Sequence, residues 1–388
     1  MRRIALAIAA LLALTASTSA WAQADPVYGF DDEPAVAPTL EAFSPRVYDA
    51  PWFESWTIPI WLDDGTYVFV QYLTSSVGFG IELQGTARAL LVEPDAVNDG
   101  GNADGVVRGT RGFQGRDGDW DWDREEPLNV WFRDCYVRGD GETFEVYFRS
   151  REHDFFVELT LEAEAPLWQP GDGRAEFGWD RHDFYTSQMV PRVRVTGRIN
   201  RKADRDAPDN WQSVSGVGLL EHARMNAFPF VVAERFTRFR AMRDDGLTVL
   251  AQVTDLPEGF DREYLGMVLV LLDGVPVFES TDVSFTPAEV RPIEGDGLVY
   301  DVPWAWDVVA SDGNDSVALR ISQADVVSSE SPLGQLSSFM RTILARLMSP
   351  RDIDLSTQYE AYVTIDGATA WVSGQGWVSF NQPIGRTP

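Results

Sequence analysis

Asp-Gly recurs along the chain at 64, 99, 104, 117, 140, 172, 245, 273, 296, 312 and 366, and several of these pairs sit between short runs of alternating apolar residues. A two-residue hairpin turn needs positive φ, which Asp-Gly supplies, so the spacing predicts consecutive antiparallel strands. Thr66 to Leu73 shows the pattern well. Tyr67, Phe69, Gln71 and Leu73 fall on one face and Val68, Val70 and Tyr72 on the other, a strand with apolar surroundings on both sides. Roughly sixteen such strands are expected, and a chain of many short antiparallel strands hides its edges most completely by closing into barrels. That number is too large for one small barrel and suits two. Val214-Ser215-Gly216-Val217-Gly218 and Val372-Ser373-Gly374-Gln375-Gly376 share a V-S-G-x-G core 158 residues apart, an internal echo that supports two halves. The expected fold is all-β, with two tandem antiparallel barrels over 51–244 and 245–388 and the boundary near Asp244-Asp245-Gly246.

The first 22 residues read as an export signal: Arg2 and Arg3, an apolar run from Ile4 to Leu14, then small residues ending Ala20-Trp21-Ala22. The apolar run is about half of what a membrane-spanning helix needs. Cleavage near Ala22 implies a periplasmic or secreted protein, and residues 23–50, rich in Pro, Ala and acid, read as an extended lead-in. The chain carries 60 acidic against 32 basic residues, a net charge of −28, which argues against nucleic acid as a partner. A single cysteine, Cys135, allows no internal disulfide, and its neighbours Asp134 and Tyr136 do not favour a thiolate.

Two segments depart from the strand pattern. Residues 98–126 contain the acidic run Asp117-Gly118-Asp119-Trp120-Asp121-Trp122-Asp123, which resembles a calcium loop until Trp122 and Leu128 are found where that loop needs Gly and Glu. It reads as a solvated acidic loop. In 332–348, Leu333, Leu336, Met340, Ile343, Leu344 and Leu347 recur at helical spacing, with Arg341 and Arg346 as the charges. This one amphipathic helix either packs over a barrel end or acts as a lid touching membrane through Met340, Ile343 and Leu347.

Chemical motifs are sparse. His153, His182 and His222 form no metal-ligand spacing, and neither a phosphate loop, a dinucleotide fingerprint nor a Gly-x-Ser-x-Gly elbow is present, so no metal or cofactor is expected. The densest polar stretch is Gly216 to Met242, with Glu221, His222, Arg224, Glu234, Arg235, Arg238 and Arg240 among apolar residues. Strand alternation puts Leu220, His222 and Arg224 on one face and Leu219, Glu221 and Ala223 on the other. A His and an Arg inside a barrel need either a polar ligand head or an internal salt bridge, to Glu234 or another carboxylate.

Trp61 to Gln71, with its Asp64-Gly65 turn, resembles the opening strands of the survival factor 1 family. Pro191 to Ile199, Gly216 to Ala223, Pro229, and Ala233 to Phe236 are similar in order and spacing to that family's central block. Phe236 stands where Trp is common, and Arg224-Met225-Asn226 departs from the pattern after Ala223. The wider group takes in AttH-like proteins and carotenoid hydratases of the hydroxyneurosporene synthase type. The resemblance implies two lipocalin-like barrels in tandem, covers about 52–242 clearly, and suggests either a ceramide-like lipid carrier or acid-assisted water addition to a polyene. The leading expectation is an exported carrier that holds a lipid or isoprenoid in a barrel cavity, with Tyr67, Phe69, Gln71, Trp131, Tyr147, His222, Arg224 and Arg235 as ligand contacts. The alternative is a hydratase or isomerase with His222, Tyr185 or an interior Asp as proton donor; filled barrels serving as an interaction module are a third.

Overall fold

The computed structural model describes residues 24–33, 35–45, 51–76, 84–94, 106–114, 120–150, 154–202, 206–295, 298–331 and 349–383. Thirteen strands form the first sheet: β1 (Val27–Tyr28), β2 (Trp52–Leu62), β3 (Tyr67–Ser76), β4 (Gln84–Val92), β5 (Val106–Gln114), β6 (Trp120–Trp122), β7 (Leu128–Phe132), β8 (Cys135–Gly139), β9 (Thr143–Arg149), β10 (Phe155–Ala163), β11 (Arg174–Phe177), β12 (Asp183–Arg201) and β13 (Trp211–Met225). A four-residue helix, α1 (Pro229–Val232), leads to the second sheet. Its nine strands are β14 (Arg235–Met242), β15 (Leu247–Asp255), β16 (Tyr264–Leu272), β17 (Val275–Ser280), β18 (Val283–Gly295), β19 (Leu298–Asp312), β20 (Asp315–Glu330), β21 (Arg351–Ile365) and β22 (Ala368–Gln382).

Both sheets are antiparallel meanders that double back on themselves. β13 returns to pair with β2, and β22 returns to pair with β14. The V-S-G-x-G echo lies on these two returning strands, so it marks the same topological position in each sheet. The hairpins β16–β17 and β21–β22 turn on Asp273-Gly274 and Asp366-Gly367, with positive φ at all four residues. Curling brings distant strands together. A Cβ at Gly85 on β4 would fall 2.9 Å from the Phe132 ring of β7, and one at Gly266 on β16 would fall 2.7 Å from Val283 of β18. Only glycine allows each sheet to close so tightly at these points. Two tandem lipocalin-like barrels result.

Among the described residues, large apolar side chains pack inside each barrel. The first holds Trp56, Val68, Val70, Tyr72, Phe132, Phe144 and Phe148 in one packed cluster, and the second holds Phe239, Val268, Trp306, Tyr359 and Phe380 in another. The barrels meet on their outer faces. Leu219 and Met189 pack against Met242, Leu250 and Met267, while Tyr67 stacks on Trp377 with ring centroids 3.7 Å apart. This contact explains why β3 and β15 are apolar on both sides.

Several expectations change. The sheet switch falls between Met225 and Arg235, so Arg235–Met242, placed by sequence in the first half, belongs to the second sheet; the Asp-Gly turn at 245–246 is a hairpin inside that sheet rather than a border. Within 98–126, Val106–Gln114 and Trp120–Trp122 are paired strands, because sheet pairing satisfies a Gly-rich backbone that the acidic composition disguised. The lead-in is anchored: β1 pairs with β11, and Leu40–Phe43 forms a 3-10 turn whose Phe43 enters the first barrel's core. The helix expected over 332–348, with Met340, Ile343 and Leu347, lies outside the described residues.

Candidate functional site between the barrels

Strand alternation that fills the barrels necessarily sends the intervening residues outward, and where the two outer faces diverge they leave a cavity of about 270 Å³. A hollow was expected inside a barrel; among the described residues this cavity lies in the seam, while large aromatics pack inside both barrels. Its walls include Phe53 and Phe69 from the first barrel and Phe236 from the second. This volume is close to the lower end of the usual ligand-pocket range, about 300–1,000 Å³.

Two polar chains cross this cavity. In the first, Gln71 Nε2 donates to Thr57 Oγ1 at 3.0 Å, Arg88 Nε donates to Gln71 Oε1 at 2.7 Å, and Arg88 pairs with Asp352 of β21, which also accepts from Asn381 of β22. In the second, Arg240 on β14 grips Glu221 on β13 through Nε and Nη2, at 2.8 and 2.6 Å. Arg240 Nη1 also donates to Ser379 Oγ at 3.2 Å, and the Ser379 hydroxyl donates to Asp354 Oδ1 at 2.8 Å. Each chain joins one barrel to the other, so the charges that line the cavity also fix how the barrels dock.

The carboxyl groups are set apart by their partners. Burial pushes Glu221 up, but the Arg240 charge, its paired hydrogen bonds and nearby Arg238 outweigh burial and hold Glu221 below its ordinary range. Asp354 goes the other way. Burial raises it, Asp352 adds to the rise, and the Ser379 hydrogen bond with the charges of Arg88 and Arg240 does not compensate. Two carboxyls pushed in opposite directions within one cleft form a pattern suited to acid–base work. Elsewhere on the wall, the Tyr185 hydroxyl accepts from Gln252 Nε2 at 2.7 Å, which leaves its own proton to donate.

The residues singled out by sequence separate into distinct places. Phe69 and Gln71 line the cavity. Tyr67 is sealed beside it against Trp377, and burial raises its hydroxyl well above the usual tyrosine value. His222 borders the cavity, but its ring is sandwiched between Phe43 and Trp56, with centroids 5.4 and 5.2 Å away, and its Nε2 lies 2.8 Å from Glu54 Oε1. Arg224 lies 3.3 Å from the same oxygen and donates to the Ala42 carbonyl at 2.7 Å. Of the two alternatives for this buried pair, the internal bridge is what forms, to Glu54 rather than Glu234. Arg235 donates to Asp255 Oδ2 at 2.6 Å and closes a neighbouring strand pair. Trp131 and Tyr147 alternate with the core residues Val130, Phe132, Val146 and Phe148, so they lie on the outer face of the first barrel, where Tyr147 stacks on Tyr136, and neither lines the cavity.

Arg88, Asp352, Asp354 and Ser379 were not anticipated. In the sequence, Asp352 and Asp354 alternate with Ile353 and Leu355, which looks like any strand with one solvated face. The usable signal was the dense run containing Glu221, Arg238 and Arg240. Among the described residues, no cluster of His, Cys, Asp and Glu is arranged to hold a metal ion.

No protein-family profile matches the chain, and no curated protein sequence does. Among solved structures it is similar to an AttH-like protein of Nitrosomonas europaea, with TM-score 0.61 and 16% identity over 91% of this chain and 100% of that one. It is also similar to kievitone hydratase of Nectria haematococca (TM-score 0.52, 12% identity, 92% and 99% covered) and to CghA (TM-score 0.53, 13% identity, 93% and 99% covered). At these identities the likeness establishes the shared tandem-barrel fold.

Proposed function

We propose that the chain is an exported hydro-lyase that adds water to, or removes it from, a carbon–carbon double bond of an isoprenoid- or polyene-like molecule bound in the seam. The observation that carries this reading is Asp354, a carboxyl that burial pushes up in a cleft walled by aromatic rings. Ser379 donates to Oδ1, so the acid proton resides on Oδ2. Transfer of that proton to one alkene carbon leaves a cation at the other, and Phe53, Phe69 and Phe236 supply π-faces that stabilise it. Water adds to the cation and returns one proton to the Asp354 carboxylate, so alkene and water give alcohol with the acid restored. Arg88, Arg240 and the Ser379 hydroxyl favour the carboxylate formed midway.

The kievitone hydratase fold supports a hydratase over the carrier first expected from sequence. A carrier of the survival factor type is the second reading, favoured by the aromatic walls of the cavity. Incubation of the purified chain with polyene alcohols in ¹⁸O-water, followed by mass spectrometry, separates them. A product one heavy water larger, lost in a folded Asp354→Asn variant, supports the enzyme. Stoichiometric lipid recovered unchanged supports the carrier.

A further inference from the structure

Arg88 and Arg240 each hold a carboxylate across the seam, but a third cation in the same cavity does not. The closest approach of Arg238 to an acid is Nε to Glu221 Oε2 at 4.0 Å, beyond hydrogen-bond reach, and both oxygens of Glu221 are already engaged by Arg240. Its guanidinium carbon lies 5.6 Å from the centre of the Phe236 ring, at a cavity wall, and its side chain is 22% exposed. Among the described residues Arg238 makes no hydrogen bond to a carboxylate.

The cavity is lined by Arg88, Arg238 and Arg240 and by Glu54, Glu221, Asp352 and Asp354; Glu54 is engaged by His222 and Arg224, Glu221 by Arg240 and Asp352 by Arg88. The acids Glu54, Glu221 and Asp352 are each held by a nearer base, so Arg238 is left with only the 4.0 Å ion pair to Glu221 and no hydrogen-bonded carboxylate. An arginine presents a planar donor fork suited to a carboxylate, and one whose fork is engaged by no hydrogen-bonded acid at a partly desolvated wall favours an anionic guest. We propose that Arg238 receives the carboxylate head of the ligand, so that the natural substrate is an apolar acid whose hydrocarbon part lies along Phe236 and Phe69. This inference rests on the reading of the seam as the ligand site, and it assigns substrate class rather than reaction.

Calorimetric titration of the purified chain with decanoate and with 1-decanol, below micelle formation, tests it without needing turnover. Decanoate is expected to bind about tenfold more tightly than decanol, a difference of about 1.4 kcal/mol. Arg238→Met should bring the two within about threefold by weakening decanoate alone, and Arg238→Lys should keep most of the preference. Equal binding of acid and alcohol by the unaltered chain, absence of decanoate binding, or a preference that survives Arg238→Met overturns the proposal. Asp354→Asn fixes that position as neutral and should retain the preference. Turnover lost in Asp354→Asn without any acid preference rejects the Arg238 assignment and leaves the hydro-lyase standing, whereas an acid preference with undiminished turnover in Asp354→Asn does the reverse.

Discussion

The inward and outward faces of β3 share one backbone and differ by a single residue step, yet they have opposite fates. Val68, Val70 and Tyr72 enter a packed barrel interior, whereas Tyr67, Phe69 and Gln71 meet the second barrel across the seam. The interior is close-packed, and the polar group that enters it beside Phe43 and Trp56, Glu54 with His222 and Arg224, is paired within itself. The seam mixes aromatic rings with arginines and carboxyls and stays partly open. Apolar character on both sides of an antiparallel strand therefore signals two buried faces, and chemistry collects on the less uniform one.

The strongest test of that division is Asp354→Asn. On the seam reading, kcat falls by about 10²- to 10⁴-fold, the usual contribution of a positioned general acid, while thermal denaturation shows the fold retained. The pH dependence has a definite sign. Asp354 has a folded pKa above its unfolded value, so activity is present while it is protonated and is lost as pH rises through the raised pKa. Its ionisation at higher pH also costs stability, which the Asn variant should recover. A rate–pH profile in which activity increases through that region would assign the acid elsewhere.

An interior change should do the opposite. Trp306→Ala in the second barrel removes a fully buried ring and should lower stability by about 3–5 kcal/mol in denaturant unfolding, with KM unaltered under conditions where the variant remains folded. A comparable loss of substrate binding would show that the interior, not the seam, shapes the site.

Glu221→Gln probes the seam's structural side with a smaller effect. The amide keeps shape but loses charge opposite Arg240, whose side chain is 2% exposed, so a cost of about 1–3 kcal/mol is expected. Glu221 is held below its ordinary range, so its contribution is present above the unfolded carboxylate pKa and is lost as pH falls through the lower folded value. Stability measured down to pH 3 should decline less steeply in the Gln variant than in the parent chain.

Much of this architecture was legible in the chain because its signals are local. Asp273-Gly274 and Asp366-Gly367 encode hairpins in adjacent residues, and the echo at Val214 and Val372 marks equivalent returning strands. The site was legible only in part. Phe69 and Gln71 were chosen because their face of β3 was conspicuous, whereas Glu221, Arg238 and Arg240 stood out only as members of a dense polar stretch from which His222, Arg224 and Arg235 were taken as contacts. Asp354 and Ser379 lie far along the chain on strands that look solvated, and only docking of the second barrel against the first buries them. His222 was misleading for a related reason: its partner Glu54 is 168 residues away, so no local pattern shows that it is already satisfied.

The smallest expected effect tests the same contrast from the outer surface of the first barrel. Tyr147 was chosen from sequence as cavity lining, but alternation with Val146 and Phe148 turns it outward, where it stacks on Tyr136 at 5.6 Å. Tyr147→Ala should then cost only the aromatic pair, about 0.5–1.5 kcal/mol, and leave KM unchanged. Trp131→Ala on the adjoining β7 should behave alike, since Trp131 pairs with Tyr136 on the same face. The comparison is sharp because Phe148, one residue from Tyr147, is fully buried in the core. If Tyr147→Ala raised KM several-fold at unchanged stability, the outer surface of the first barrel would have to contact substrate, and the seam would no longer account for binding alone.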